Sequence, residues 1–206
     1  MTLYDRYVLP PLLNLACSCR PIRAQRAQIV PLARGVVIEL GFGAGLNLPH
    51  YDASQVTKLY ALEPAEGMLA RARKQVRAAP FAVEILPECA ERMSLPDASV
   101  DTVVVTYSLC TIPNPYAALL AAYRVLKPGG RLLFAEHGAA PEAQVRAWQR
   151  RIEPAWRVVS GGCHLTRDTP HLIRAAGFEF ETLDCAYLPK TPSWSGYNYW
   201  GIARPA

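Results

Sequence analysis

One stretch narrows the fold more than any other: GVVIELGFGAGLNLPHY, residues 35–51. An apolar run leads into Glu39, and glycines then alternate at Gly41, Gly43 and Gly45. Such a run reads as a strand buried in a sheet. That much backbone freedom directly behind it fits a tight turn whose amides, with a helix N-terminus, face a ligand at the strand's carboxyl end. A dinucleotide fingerprint would be GxGxxG, but here the third glycine comes one residue early and Leu46 stands in the required place. Pyrophosphate is therefore the weaker reading, and a ligand bringing an uncharged face close to the turn is the stronger. Glu63 ends the next apolar run, where an acid can accept both ribose hydroxyls.

The rest of the chain alternates strand and helix patterns. Strands are expected at VVIEL, KLYALE (58–63), FAVEIL (81–86), 100–106 and RLLFAEH (131–137), with closing strands over 179–188 and 199–203. Helical spacing covers about 3–17, 21–32, 65–78, 115–126 and 141–156. A further helix opens at Asp168 or Thr169 with Pro170 in its first turn and ends at Gly177. Lys127-Pro128-Gly129-Gly130 reads as a stop between helix and strand. These elements predict an α/β fold: a doubly wound, seven-stranded, mostly parallel Rossmann-like sheet. A single domain is expected over 1–206, with an N-terminal helical cap (1–33), a ligand-binding core (34–137) and a lid and substrate region with the closing strands (138–206).

Composition excludes several classes. With 51% hydrophobic and 19% charged residues the chain is globular rather than disordered. Net charge is only +5, and Arg20, Arg23 and Arg26, like Arg146, Arg150 and Arg151, read as solvated faces rather than a nucleic-acid footprint. No run reaches the ~18 apolar residues of a membrane span. The N-terminal stretch lacks signal-peptide form, so a cytoplasmic location is expected, although its apolar helix could rest on a membrane surface. The six cysteines form no CxxC pair and no zinc spacing, so reduced thiols and no metal are expected. No obligate protein partner is indicated.

Taken in order, VVIELGFGAG, LYALEP, CAERMSLPDASVDTVVVTYS and VLKPGGRLLFAEH resemble the class I S-adenosylmethionine-dependent methyltransferases over residues 34–137. The resemblance implies S-adenosyl-L-methionine as cofactor and S-adenosyl-L-homocysteine as product. It implies that Glu39 fixes the turn, with Asn47 also at the cofactor site. Gly41, Gly43 and Gly45 would admit the methionine part and Glu63 would hold the ribose. Met68, Ala90 and Glu91 would lie by the adenine, and Thr106 and Ser108 would line the methyl end. Cys89 departs from the pattern, standing where many relatives carry an acid.

VTYSLCTIPNP, Glu136-His137, Trp148-Gln149 with Pro154-Ala155-Trp156, and Gly162-Cys163-His164-Leu165-Thr166-Arg167-Asp168-Thr169 extend the resemblance to about Phe178, toward the alkyl-thiol methyltransferase branch. That branch implies a small thiol acceptor, hydrogen sulfide or an alkyl thiol. A free thiol is already about 3% thiolate at pH 7, and a nearby cation or imidazole would raise that fraction. His137 is the first candidate, followed by Arg167 and His164. Tyr7, Tyr107, Trp148, Trp156 and Cys163 are expected to line the acceptor, with the N-terminal helix and residues 141–170 forming an apolar lid. The alternatives are a quinone-precursor C-methyltransferase, a phospholipid N-methyltransferase, an arsenite methyltransferase requiring Cys17, Cys19 and Cys163 to converge, and a non-catalytic nucleotide-binding module.

Overall fold

The computed structural model describes residues 4–206, and the side chains of all of these except Asp5 and Arg6. Leu3, where the first helix was expected to begin, lies outside the described residues. A wide helical turn (Tyr4–Val8) leads into α1 (Leu9–Cys17) and then α2 (Arg20–Ile29). Next come β1 (Gly35–Leu40), β2 (Val56–Leu62), α3 (Glu66–Ala78), β3 (Ala82–Leu86), β4 (Val100–Thr106), α4 (Pro115–Val125) and β5 (Leu126–His137). The last third holds α5 (Ala143–Val159), α6 (Thr169–Ala175), β6 (Phe178–Tyr187), α7 (Ser193–Gly196) and β7 (Tyr197–Pro205).

The strands make one seven-stranded sheet in the order β3-β2-β1-β4-β5-β7-β6. The first five pair parallel, and β7 runs antiparallel between β5 and β6. Neighbouring residues of one strand serve opposite faces, as the period of two demands. Val37, Leu59, Val104 and Leu133 pack with Ile29 of α2 and Ala72 of α3, whereas Ile38, Val103, Leu132 and Phe134 pack with Leu119 of α4 and Ile173 of α6. The unbroken valine run of β4 follows from this double covering, because both faces of a central parallel strand are buried. From β1 the chain winds outward to β2 on one side, while β4 lies on the other. The resulting switch point opens a crevice beyond the carboxyl ends of these strands.

Local signals explain several boundaries. Asn114 caps α4 by accepting from the Ala117 amide, with Pro115 as its first residue. Asp168 caps α6 in the same way through the His171 amide, with Pro170 in the first turn. Two expectations change. Residues 127–130 do not separate α4 from β5; Val100 pairs with Leu126 and Thr102 with Arg131, so they bulge out of a strand already begun. The glycine turn leads not into an α-helix but into further turns and a short 3₁₀ turn at Leu48–His50. Among the described residues no helix is long and apolar enough to cross a membrane.

Candidate active site

Gly41, Gly43 and Gly45 adopt φ of +72°, +59° and +77°, a region that L side chains rarely enter. Gly41 is doubly constrained, since a Cβ there would stand 2.4 Å from Ser108 Oγ. The Gly41 and Phe42 amides both donate to the Leu62 carbonyl at 3.0 Å, which pins the turn to the end of β2. Glu63 adds a second clamp: Oε2 accepts from the Gly43 amide and Oε1 from the Ala65 amide, each at 2.9 Å. Burial raises its pKa against the pull of those two amides. Each carboxylate oxygen retains a lone pair for a further donor.

Beneath the turn lies a buried polar network. Glu39, 2% exposed, accepts from Asn47 Nδ2 (2.9 Å) and the Tyr51 hydroxyl (2.7 Å). Asn47 also donates to Thr106 Oγ1 at 2.9 Å. Arg26 Nη1 donates to Asn47 Oδ1 (2.7 Å) and to Thr106 Oγ1 (2.6 Å). The guanidinium also lies over the Tyr107 ring, 5.3 Å from its centroid, and its Nε has no hydrogen-bond partner among the described residues. Burial pushes the Glu39 carboxyl up to about 7, although Tyr51, Arg26 and Asn47 all favour its ionised form.

From this turn a cavity of about 680 Å³ runs past Thr106 and Ser108 to Cys110, His137 and Cys163. Leu9 and Leu13 of α1 and Ile22 of α2 supply an apolar wall. At the far end the thiol and imidazole ligand atoms of Cys110, His137 and Cys163 lie within 4.8 Å of one another, and His137 Nε2 is 3.1 Å from Cys163 Sγ. The Cys110 thiol, and then His137, hold the Cys163 pKa low against burial, while Cys163 and burial push Cys110 up. Burial disfavours the His137 cation, but the Cys163 sulfur outweighs it and the pKa is raised.

The loops carrying these groups are fixed by charged side chains. Glu136 Oε1 accepts from the Ser108 and Leu109 amides at 2.6 and 2.9 Å. Arg167 Nη1 donates to the Leu109 and Ile112 carbonyls, the latter at 2.7 Å. The His164 amide donates to the Cys110 carbonyl at 2.8 Å. Glu153 of α5 pairs with His164 Nδ1 at 3.0 Å and accepts from the Leu165 and Thr166 amides at 2.9 Å.

Residues 38–134 match the family model of a methyltransferase domain. The thiol S-methyltransferase TMT1B of Mus musculus is 34% identical over 169 residues, covering 78% of this chain and 68% of that protein. The chain belongs to the class I S-adenosylmethionine-dependent methyltransferases. Within that family it resembles the thiol S-methyltransferase branch. The Rattus norvegicus TMT1B is 34% identical over 162 residues, 77% of this chain and 65% of that protein, so the chain spans just under two thirds of this relative's length. A SAM-dependent methyltransferase of Thermotoga maritima shares the fold, with a TM-score of 0.70 over 98% of each chain at 22% identity.

Of the residues singled out by likeness to this methyltransferase family, Gly41, Gly43, Glu63, Met68, Ala90, Glu91, Thr106 and Ser108 line the cavity. So do Tyr107, Trp156, Cys163 and His137. Glu39, Gly45 and Asn47 do not reach its surface and sit behind the turn. Four expectations are corrected. Trp148 is 60% exposed and faces a separate groove with Val145, Ile152 and Trp194, because its neighbour Gln149 takes the buried side of α5. Tyr7 is 62% exposed and does not line the cavity, where α1 presents Leu9 and Leu13 instead. Arg167 is occupied by two carbonyls, and His164 by Glu153.

Arg26 is a cavity residue that the sequence did not reveal. Read as part of a solvated face, it is only 6% exposed and lines the cavity. A signal existed: Arg26 falls four residues after Ile22 and three before Ile29, on the apolar stripe of α2.

Proposed function

We propose that this methyltransferase transfers a methyl group from S-adenosylmethionine to a small-molecule thiol. One observation carries the reading: a single cavity joins the glycine turn and Glu63 at one end to a sulfur- and imidazole-lined end at the other. The resemblance to the mouse and rat thiol S-methyltransferases supports sulfur as the acceptor.

In this reading Glu63 accepts the ribose hydroxyls with the lone pairs that Gly43 and Ala65 leave free. Gly41 and Gly43 admit the methionine part, and Met68, Ala90 and Glu91 border the adenine. The unpartnered Nε of Arg26 suits the methionine carboxylate. Thr106 and Ser108 edge the transferred methyl. Of the three candidate side chains for the acceptor, only His137 lines the cavity.

The acceptor sulfur's lone pair forms the new bond to the methyl carbon. The donor's carbon–sulfonium bond breaks as it does so, and its electron pair stays on the donor sulfur. The acceptor reacts as its thiolate, its S–H proton having passed to solvent, so an anion and a cation become two neutral products: S-adenosylhomocysteine and the methylated acceptor, a thioether from an alkyl thiol and methanethiol from hydrogen sulfide. Charge is lost on the way to the transition state, so apolar, water-excluding walls such as Leu9, Leu13 and Ile22 favour it. Alignment of the two sulfurs supplies most of the remainder.

The test is incubation with methyl-labelled S-adenosylmethionine and a panel of hydrogen sulfide, small alkyl thiols, demethoxyquinones and phosphatidylethanolamine. Label is expected in the thiols. Label confined to the quinone or the lipid would replace this acceptor, and no S-adenosylmethionine binding by calorimetry would remove the donor.

A further inference from the structure

We propose that Cys110, His137 and Cys163 form a zinc site whose fourth position opens into the cavity and is taken by the acceptor thiol. The acceptor half of this statement rests on the methyl-transfer reading above; the metal half does not. The three residues come from separate segments: the loop after β4, the last residue of β5, and the loop after α5. Their ligand atoms lie within 4.8 Å of one another, and Cys110 and Cys163 are 4% and 6% exposed. At zinc–sulfur distances of about 2.3 Å, the sulfurs of a tetrahedral site lie about 3.8 Å apart. Closing on a metal therefore asks for about 1 Å or less, within reach of small side-chain rotations.

Two thiolates and one imidazole are a soft donor set that favours zinc over magnesium or calcium. Three protein ligands with one open position are the arrangement of a catalytic zinc rather than a structural one. Here the open side is defined, because all three residues line the cavity that also holds the glycine turn and Glu63. The supporting shell is present without the metal. Glu136 holds the Ser108–Leu109 amides, Arg167 holds the Leu109 and Ile112 carbonyls, and the His164 amide ties the Cys163 loop to the Cys110 carbonyl. His137 directs Nε2 at the cluster, 3.1 Å from Cys163 Sγ, while its Nδ1 has no hydrogen-bond partner among the described residues.

The chemistry balances without an oxidant. The two cysteines bind as thiolates, and the acceptor releases its S–H proton to solvent as its sulfur joins the metal. A lone pair of that sulfur then forms the bond to the methyl carbon, and the carbon–sulfonium pair returns to the donor sulfur. The product is a neutral thioether, a weaker zinc ligand than a thiolate, so it leaves and the next thiol takes its place. Two protein thiolates keep the metal electron-rich enough for the bound acceptor to stay nucleophilic.

The experiment is a Co2+ titration of the full chain, stripped with chelator and kept reduced with a phosphine rather than a thiol. Stoichiometric binding is expected, with thiolate-to-cobalt charge transfer in the near ultraviolet and tetrahedral d–d bands in the visible. Cys110→Ser, Cys163→Ser and His137→Ala should each weaken binding beyond the about 10- to 100-fold that loss of an outer-shell partner costs. Cys185→Ser, an exposed position on β6, should leave the spectrum unchanged. Adding 2-mercaptoethanol should raise the charge-transfer intensity by roughly half, as two cobalt-bound sulfurs become three. A wild-type chain that binds S-adenosylmethionine by calorimetry yet shows no tetrahedral band overturns the metal site and leaves the methyl-transfer reading intact. A band that ignores 2-mercaptoethanol overturns the acceptor's place on it.

Discussion

The two ends of the cavity are built on different terms. At the glycine turn the side chains are already held: Glu63 at the cavity by two amides, and Thr106, with Asn47 and Glu39 behind the turn, by one another and by Arg26. At the far end the loops are held by charged side chains, but the groups they carry are held by one another: His137 Nε2 lies 3.1 Å from Cys163 Sγ with Cys110 beside them, and His137 Nδ1 has no partner among the described residues. Preorganisation at the first end suits a ligand of fixed shape, because recognition there costs little rearrangement. Sulfur and imidazole gathered at the second end suit a small acceptor recognised by its chemistry rather than its outline.

Three changes should sharpen or break that contrast. Glu63→Ala carries the largest expected effect. On the proposed reading it removes acceptors for two ribose hydroxyls, at about 2 kcal/mol each for charged hydrogen bonds, so S-adenosylmethionine affinity should fall on the order of 1000-fold by calorimetry. The cobalt spectrum of the cysteine end should be unaltered; a change in both would mean that the two ends are not independent.

Glu39→Gln should alter stability rather than affinity. Burial raises the Glu39 pKa from 4.5 to about 7, so between those values the folded chain binds this proton more tightly than the unfolded one. The contribution is therefore fully present below about pH 4.5 and is lost as pH rises through about 7, a decline of up to about 3 kcal/mol. Denaturant unfolding at pH 5 and pH 8 should show a smaller fall for the glutamine variant. Glu136, with its pKa also near 7 through burial, is common to both chains and cancels in the difference. Parallel pH profiles would mean that Glu39 is ionised throughout and the network is an ion-paired one.

Trp148→Ala marks the lower bound. With the ring mostly solvent-exposed and outside the cavity, unfolding free energy should move by less than about 0.5 kcal/mol, and donor affinity and thiol turnover should stay at wild-type values. A large loss of turnover would return α5 to the role of a lid over the acceptor.

Legibility followed the range of the interaction concerned. The glycine turn, Glu63, the β4 valine run and the proline-led helices α4 and α6 were readable because each signal lies within a few residues. Arg26 was misread because charge usually marks the solvated face of a helix, and nothing nearby announced that Asn47 and Thr106 would receive it. Arg167 and His164 sit in a motif that reads as chemical, yet they hold loops: one meets carbonyls far back in the chain and the other a carboxylate on α5. Trp148 differs from the inward-facing Gln149 by a single helical step, and Gln149 faces inward because distant backbone groups at Gly138, Ala140 and Trp194 receive its amide, partners that no local pattern announces.

By itself the sequence determined that this chain makes a doubly wound sheet with a left-handed glycine turn and a strand-end carboxylate, because backbone dihedrals and strand periodicity are set by adjacent residues. Only the tertiary structure decided what meets at the other end. Cys110, His137 and Cys163 have no motif spacing, and they converge because β4 and β5 lie side by side and the loop after α5 is drawn onto them by Glu153, Arg167 and the His164 amide. Contacts between distant segments depend on the order of the strands, and no local pattern encodes that order.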